Sequence, residues 1–208
     1  MKRLLLVIGL FITSYSWSQE NLVPNGSFED LNYCPNQPGN IYSIKNWFLV
    51  VPSPDIFNEC ANGIGPLEYN PGVPNNFLGY AQPVSGVGYC GLALWSKDYI
   101  FREYIGIRLS KELKPNTHYF FECYTQVCDS VSYAVKNFGA YFRVDTLLSL
   151  NNVQQKDYLL SQEPQIKYVD TAFIEDRDNW IKIKGEFEAG GKNIYSSVIL
   201  TLMQKQTH

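Results

Sequence analysis

The chain has 208 residues, 45% of them in the AVILMFWYC set, 15% aromatic and 18% charged. That length suits one domain with a real core, and so many aromatic residues with so few charges exclude disorder. A formal charge of −3 without any run of Lys or Arg excludes the basic footprint of a nucleic-acid binder, and two His and five Cys leave little for a transition-metal site.

The N-terminus reads as a targeting segment. Lys2 and Arg3 precede an apolar run over residues 4–12 and a small-residue exit at Ser14, Ser16 and Ser18. Such a stretch is too short for a ~30 Å hydrocarbon core, which needs about 20 residues. Residues 1–18 are therefore expected to be a secretory signal cleaved after Ser18, leaving residues 19–208 as one module. No other segment is apolar for long enough to cross a bilayer, and no Cys follows the run to carry a lipid anchor. Losing Lys2 and Arg3 from the 17 basic residues leaves 15 against 20 Asp and Glu, a net −5. That charge favours solubility over attraction to anionic lipid.

Export places all five cysteines in an oxidising compartment, where an even subset can pair. Cys34 and Cys60 stand in Pro-, Asn- and Gly-rich surroundings and are the expected bridge. The loop it closes, about 26 residues, is worth roughly 3–4 kcal/mol of chain entropy. Cys90, within Gly88-Tyr89-Cys90-Gly91, reads as a buried free thiol. Cys123 and Cys128 are five apart and would face opposite sides of a continuous strand. None of the five has zinc-ligand spacing.

Residues 30–90 hold most of the prolines and many Asn and Gly, around short apolar stretches such as Trp47-Phe48-Leu49-Val50-Val51. They predict long loops, where binding residues usually sit. Beyond them the pattern has a period of two. Residues 99, 101, 105, 107 and 109 are apolar; Lys114-Pro115-Asn116-Thr117 predicts a turn; residues 119–127 are aromatic and branched. Residues 137–144 predict another strand, and residues 180–189 alternate apolar and charged side chains. Gly190-Gly191 is read as a turn into a strand over residues 194–200. Only residues 151–160 suggest a short turn of helix. Short strands with regular turn signals predict an all-β chain: an antiparallel β-sandwich of jelly-roll type.

The opening Asn21-Leu22-Val23-Pro24-Asn25-Gly26-Ser27-Phe28-Glu29 resembles that of carbohydrate-binding-module-like jelly rolls of the galactose-binding superfamily, where this stretch forms the first strand. Further pieces resemble modules of Bacteroidetes secreted and outer-membrane-associated proteins, often placed ahead of an OmpA-like domain. These are Cys34-Pro35, Asn46-Trp47, Pro54 through Cys60, Gly72 through Tyr80, Gly88 through Gly91, Arg102 through Ile105, Asn137 through Phe142, Pro164-Gln165-Ile166, and Trp180 through Gly191. Two features depart from the group: no OmpA-like domain follows, and the last strand with its acidic pair is absent. The last ten residues fit the pattern poorly, so a truncation or frame change near residue 195 is expected, with the last strand missing or altered.

The resemblance implies that Glu29 helps hold a structural Ca2+, and a hard cation wants six to eight oxygens. A second constellation comes from the residues themselves. Asp55, Asn58, Asn75, Asn76, Tyr80 and Gln82 offer amides and a carboxylate for sugar hydroxyls, with Phe57, Phe77 and Trp95 as stacking surfaces. Trp47 and Trp180 are expected in the core. Arg102 and Glu103 must point to opposite faces of a strand, in structural roles. A glycosidase would need two carboxylates, but no motif singles out a pair from Asp55, Glu59, Glu103 and Asp129. His118 has no nucleophile elbow beside it. The expected function is thus non-catalytic: an exported module at the cell surface or outer membrane that binds a glycan, or a structural or adhesive module contacting envelope proteins.

Overall fold

The computed structural model describes residues 19–51, 53–94, 102–131, 138–144, 163–168, 173–190, 195 and 197–202. The expected signal segment, Trp95, residues 99–101, the expected helical turn at residues 151–160 and Gly191 lie outside them. The described residues are all-β: eleven strands and three short 3-10 turns. The strands are β1 (Trp47–Val51), β2 (Asp55–Asn58), β3 (Asn75–Asn76), β4 (Gly79–Tyr80), β5 (Gly88–Gly91), β6 (Tyr104–Arg108), β7 (His118–Thr125), β8 (Phe138–Arg143), β9 (Ile166–Lys167), β10 (Ile181–Glu188) and β11 (Ser197–Leu202). All pairings between them are antiparallel.

Five strands form one sheet in the order β1-β6-β11-β8-β9, while β10-β7, β2-β5 and β3-β4 pair separately. The alternation read from the sequence explains β10. Ile183 and Phe187 turn inward and are buried, while Lys182, Lys184, Glu186 and Glu188 face water. Its partner β7 matches it over eight residues, from Ile181 opposite Thr125 to Glu188 opposite His118. Trp47, Ile105, Ile107, Phe142 and Val198 of the five-stranded sheet meet Ile56, Phe121, Ile183 and Phe187 in one core. Across the layers, the Phe142 ring stands 4.3 Å from that of Phe187 and receives Phe121 edge-on at 5.9 Å. The result is an antiparallel sandwich.

One local expectation changes. Residues 21–29 were expected as the first strand and are instead a turn, with Asn25 at φ 52° and Phe28 at φ 64°. The Asn25 amide explains this: it donates to the carbonyls of Asp30 and Lys45 and accepts from Asp30 N–H, winding the chain back on itself. Phe28 still reaches the core edge, stacked on Trp47 at 4.8 Å. The strand expected over residues 194–200 corresponds to β11, Ser197–Leu202, which occupies the centre of the large sheet, with Val198 opposite both Ile107 and Phe142.

Cys34 and Cys60 are bridged as expected, and Cys90, Cys123 and Cys128 are free thiols.

Candidate functional site

The loop ahead of β3 is held by asparagine side chains rather than by a ladder. Asn62 both donates to Val73 C=O and accepts from Val73 N–H, at 2.8 and 2.9 Å. Asn70 donates to Ala61 and Ile64 carbonyls and accepts from Gly72 N–H. These bonds present the β3–β4 hairpin, in which Asn75 faces Tyr80 and Asn76 faces Gly79. Gly79 has φ 121°, and a Cβ there would come 2.6 Å from Cβ of Asp129. Only glycine permits that approach. Asp129 then accepts from Tyr80 N–H at 2.9 Å, and the Ser130 hydroxyl donates to Leu78 C=O at 2.7 Å, pinning the hairpin to the chain just beyond β7.

A circuit of polar and aromatic groups closes around this end. The Asn76 amide donates to the Tyr89 hydroxyl at 2.7 Å and accepts from Leu78 N–H at 2.9 Å. Tyr89 stacks on Phe57 at 5.1 Å and meets Trp180 edge-on at 5.7 Å. Trp180 Nε1 donates to Gln82 C=O at 2.7 Å, and Gln82 Nε2 donates to the Tyr80 hydroxyl at 3.0 Å. Burial pushes the Tyr89 phenol up to about 12 against the pull of the Asn76 bond, so it stays neutral.

Beside the circuit lies a cleft of about 780 Å³, within the range of small-molecule sites. Residues 88–94 line one wall and residues 120–128 the other, and Trp47, Ile105, Phe138 and Leu200 reach its floor. Among the described lining residues only Glu122 is charged, and Lys182 pairs with it at 3.1 Å. Cys90, Cys123 and Cys128 all line the cleft. Burial pushes all three thiols up, Cys123 to about 12, which keeps them protonated and poor nucleophiles.

Of the residues singled out from sequence, Asn76, Tyr80 and Gln82 gather at this end, with Asn75 exposed beside Tyr80. Asp55 and Asn58 are not in the cleft lining. Asn58 is buried and caps the 3-10 turn that follows it, accepting from Cys60 N–H. Asp55 accepts from Gly39 N–H at 2.6 Å. Burial lifts its carboxyl to about 6, and that of the 2% exposed Glu103 to about 7. Glu103 accepts from the N–H groups of Ser53 and Ala93, both at 2.7 Å. These carboxyls staple loops together and are not themselves in the cleft lining, though Ala93 is.

Glu29, the implied calcium ligand, accepts from the N–H groups of Val87 and Gly88. Among the described residues no group of three or more Asp, Glu, His or Cys gathers to hold a metal ion.

Tyr89, Phe120, Tyr124 and Trp180 line the cleft without having been singled out as ligand residues. A signal existed for Trp180. It stands one residue out of phase with Ile181, Ile183 and Phe187, so strand alternation turns it away from their face. No protein-family model, no curated protein and no solved structure matches the chain.

Proposed function

We propose that this chain is an exported, non-catalytic binding module of jelly-roll type that holds a glycan against Tyr80, Asn75 and Gln82. The observation that carries the reading is Tyr80 itself. The residue is 53% exposed while its hydroxyl is fixed by the Gln82 amide, giving an aromatic platform flanked by exposed amides. A sugar ring offers a C–H face to such a platform and hydroxyls to the amides. The resemblance to carbohydrate-binding jelly rolls supports the same reading, and the leader-like residues 1–18 support display at the cell surface or outer membrane. The test is a glycan array with the wild type and Tyr80→Ala. Loss of binding by about tenfold or more, with an unchanged melt, is expected. A blank wild-type array with retained envelope association would replace it with the structural or adhesive reading, which the edges of β5 and β7 left unpaired among the described residues favour. The calcium proposal rests on Glu29 and has its own test: a rise in Tm with Ca2+ that chelator reverses and Glu29→Gln abolishes.

A further inference from the structure

Each wall of the cleft carries a strand with one edge that no other described strand pairs, although the Gly88 N–H of β5 is taken by the Glu29 carboxylate. Among the described residues β5 pairs only with β2 and β7 only with β10, yet residues 88–94 and 120–128 bound the same cavity. A strand edge presents a row of unpaired N–H and C=O groups, and natural edges are usually blunted by Pro, Lys or a bulge. The eight residues of β7, His118–Thr125, contain neither Pro nor Lys and keep an unbroken register with β10. The floor between the walls is the sandwich core itself.

We propose that the cleft takes one extended peptide segment from another protein, inserted as a strand between β5 and β7. The insertion would join β2-β5 to β7-β10 in a single five-stranded layer, facing the five-stranded sheet already present. Continuity with these two ladders argues for a peptide over a lipid, which would leave both edges without partners. The charge of the cleft sets the peptide's chemistry. Glu122, the single charged residue among the described lining, already has Lys182, so inward side chains are uncharged and apolar at every second position. The cleft shares Tyr80 with the glycan reading, whose amides Asn75 and Gln82 lie outside its lining.

The probe is a panel of seven-residue peptides alternating Val, Ile or Phe with Thr, titrated into the full chain. Each peptide is also made with its odd or its even amides N-methylated. A strand paired on both sides sends alternate amides to opposite walls, so either methylation should weaken binding by about tenfold or more. Hydrogen exchange should show new protection in both residues 88–94 and residues 120–128. Three outcomes would overturn the proposal: no peptide of the panel binds, binding ignores methylation, or only one wall gains protection. A blank glycan array beside a positive peptide titration would sink the sugar reading alone.

Discussion

Asn76 and Tyr89 are joined by a 2.7 Å hydrogen bond from side-chain amide to phenolic oxygen, and it ties the β3–β4 hairpin to β5. Asn76 is 7% exposed and its carbonyl oxygen also holds Leu78 N–H. Asn76→Ala therefore strips two enclosed polar groups of their partner at once. Leaving such groups unsatisfied costs about 1–3 kcal/mol, which in a domain of this size lowers Tm by roughly 2–4 °C per kcal/mol. Calorimetry of the two proteins checks it; melts within experimental error of each other would mean the bond does not anchor the hairpin.

The same pair shows where sequence reading reached and where it stopped. Ile181–Glu188 was legible from a strict period of two, because one face must be apolar to meet a core, and His118–Thr125 from its aromatic residues, which favour strands. The Cys34–Cys60 bridge was legible because turn-rich surroundings leave both thiols in loops in an oxidising compartment. The two-residue strands Asn75–Asn76 and Gly79–Tyr80 are too short to carry a period. Their place is fixed by Asn62, Asn70 and Asp129 from elsewhere in the chain. Asn58 and Asp55 looked like sugar ligands by residue type, but local N–H groups of Cys60 and Gly39 take their oxygens. Composition does not reveal which amide is already engaged.

Asp55 and Glu103 make stability fall as pH rises. Burial is the leading cause for both, raising Asp55 from 3.8 to about 6 and Glu103 from 4.5 to about 7 over the opposing backbone hydrogen bonds. A folded value above the unfolded one means the folded chain favours the neutral acid. That contribution is complete below about pH 4, shrinks as pH rises, and is gone above about pH 7. Asp176, lowered by the N–H groups of Asn179 and Asp178, acts in the opposite sense but below this window. Urea midpoints measured from about pH 5 to about pH 7.5 should decline, and Glu103→Gln should flatten the slope whatever it does to the midpoint itself. A rising or level wild-type profile would contradict the assignment.

The bridge between Cys34 and Cys60 spans 26 residues of sequence and closes the loop that carries β1 and β2. Removing it in a Cys34→Ser, Cys60→Ser double variant should cost roughly 3–4 kcal/mol by the loop-entropy relation. Thiol titration of the unfolded wild type should count three free groups, Cys90, Cys123 and Cys128. In the folded protein they should react slowly, since burial holds each thiol above its ordinary range. One or five free thiols in the unfolded chain would refute the pairing.

Gly106 lies in β6, between β1 and β11, opposite Phe48 on one side and Ile199 on the other. The Phe48 ring folds over it, and a Cβ at this position would overlap that ring and come 3.1 Å from Cγ2 of Val50. Phe48, Val50, Tyr104, Tyr141 and Ile199 form a second small cluster on this face, in which Val50, Tyr104 and Ile199 are buried. Gly106→Ala thus overfills a packed spot and should destabilise by about 1–3 kcal/mol, although alanine is ordinarily the better residue in a strand. Phe48→Ala removes packing and should also destabilise when made alone. The double variant gives the overlapping Cβ room, so its cost should be smaller than the sum of the two single costs by about 0.5–3 kcal/mol. Denaturant unfolding of the four proteins closes the cycle, and strict additivity would show that the Phe48 ring does not need the bare glycine beneath it.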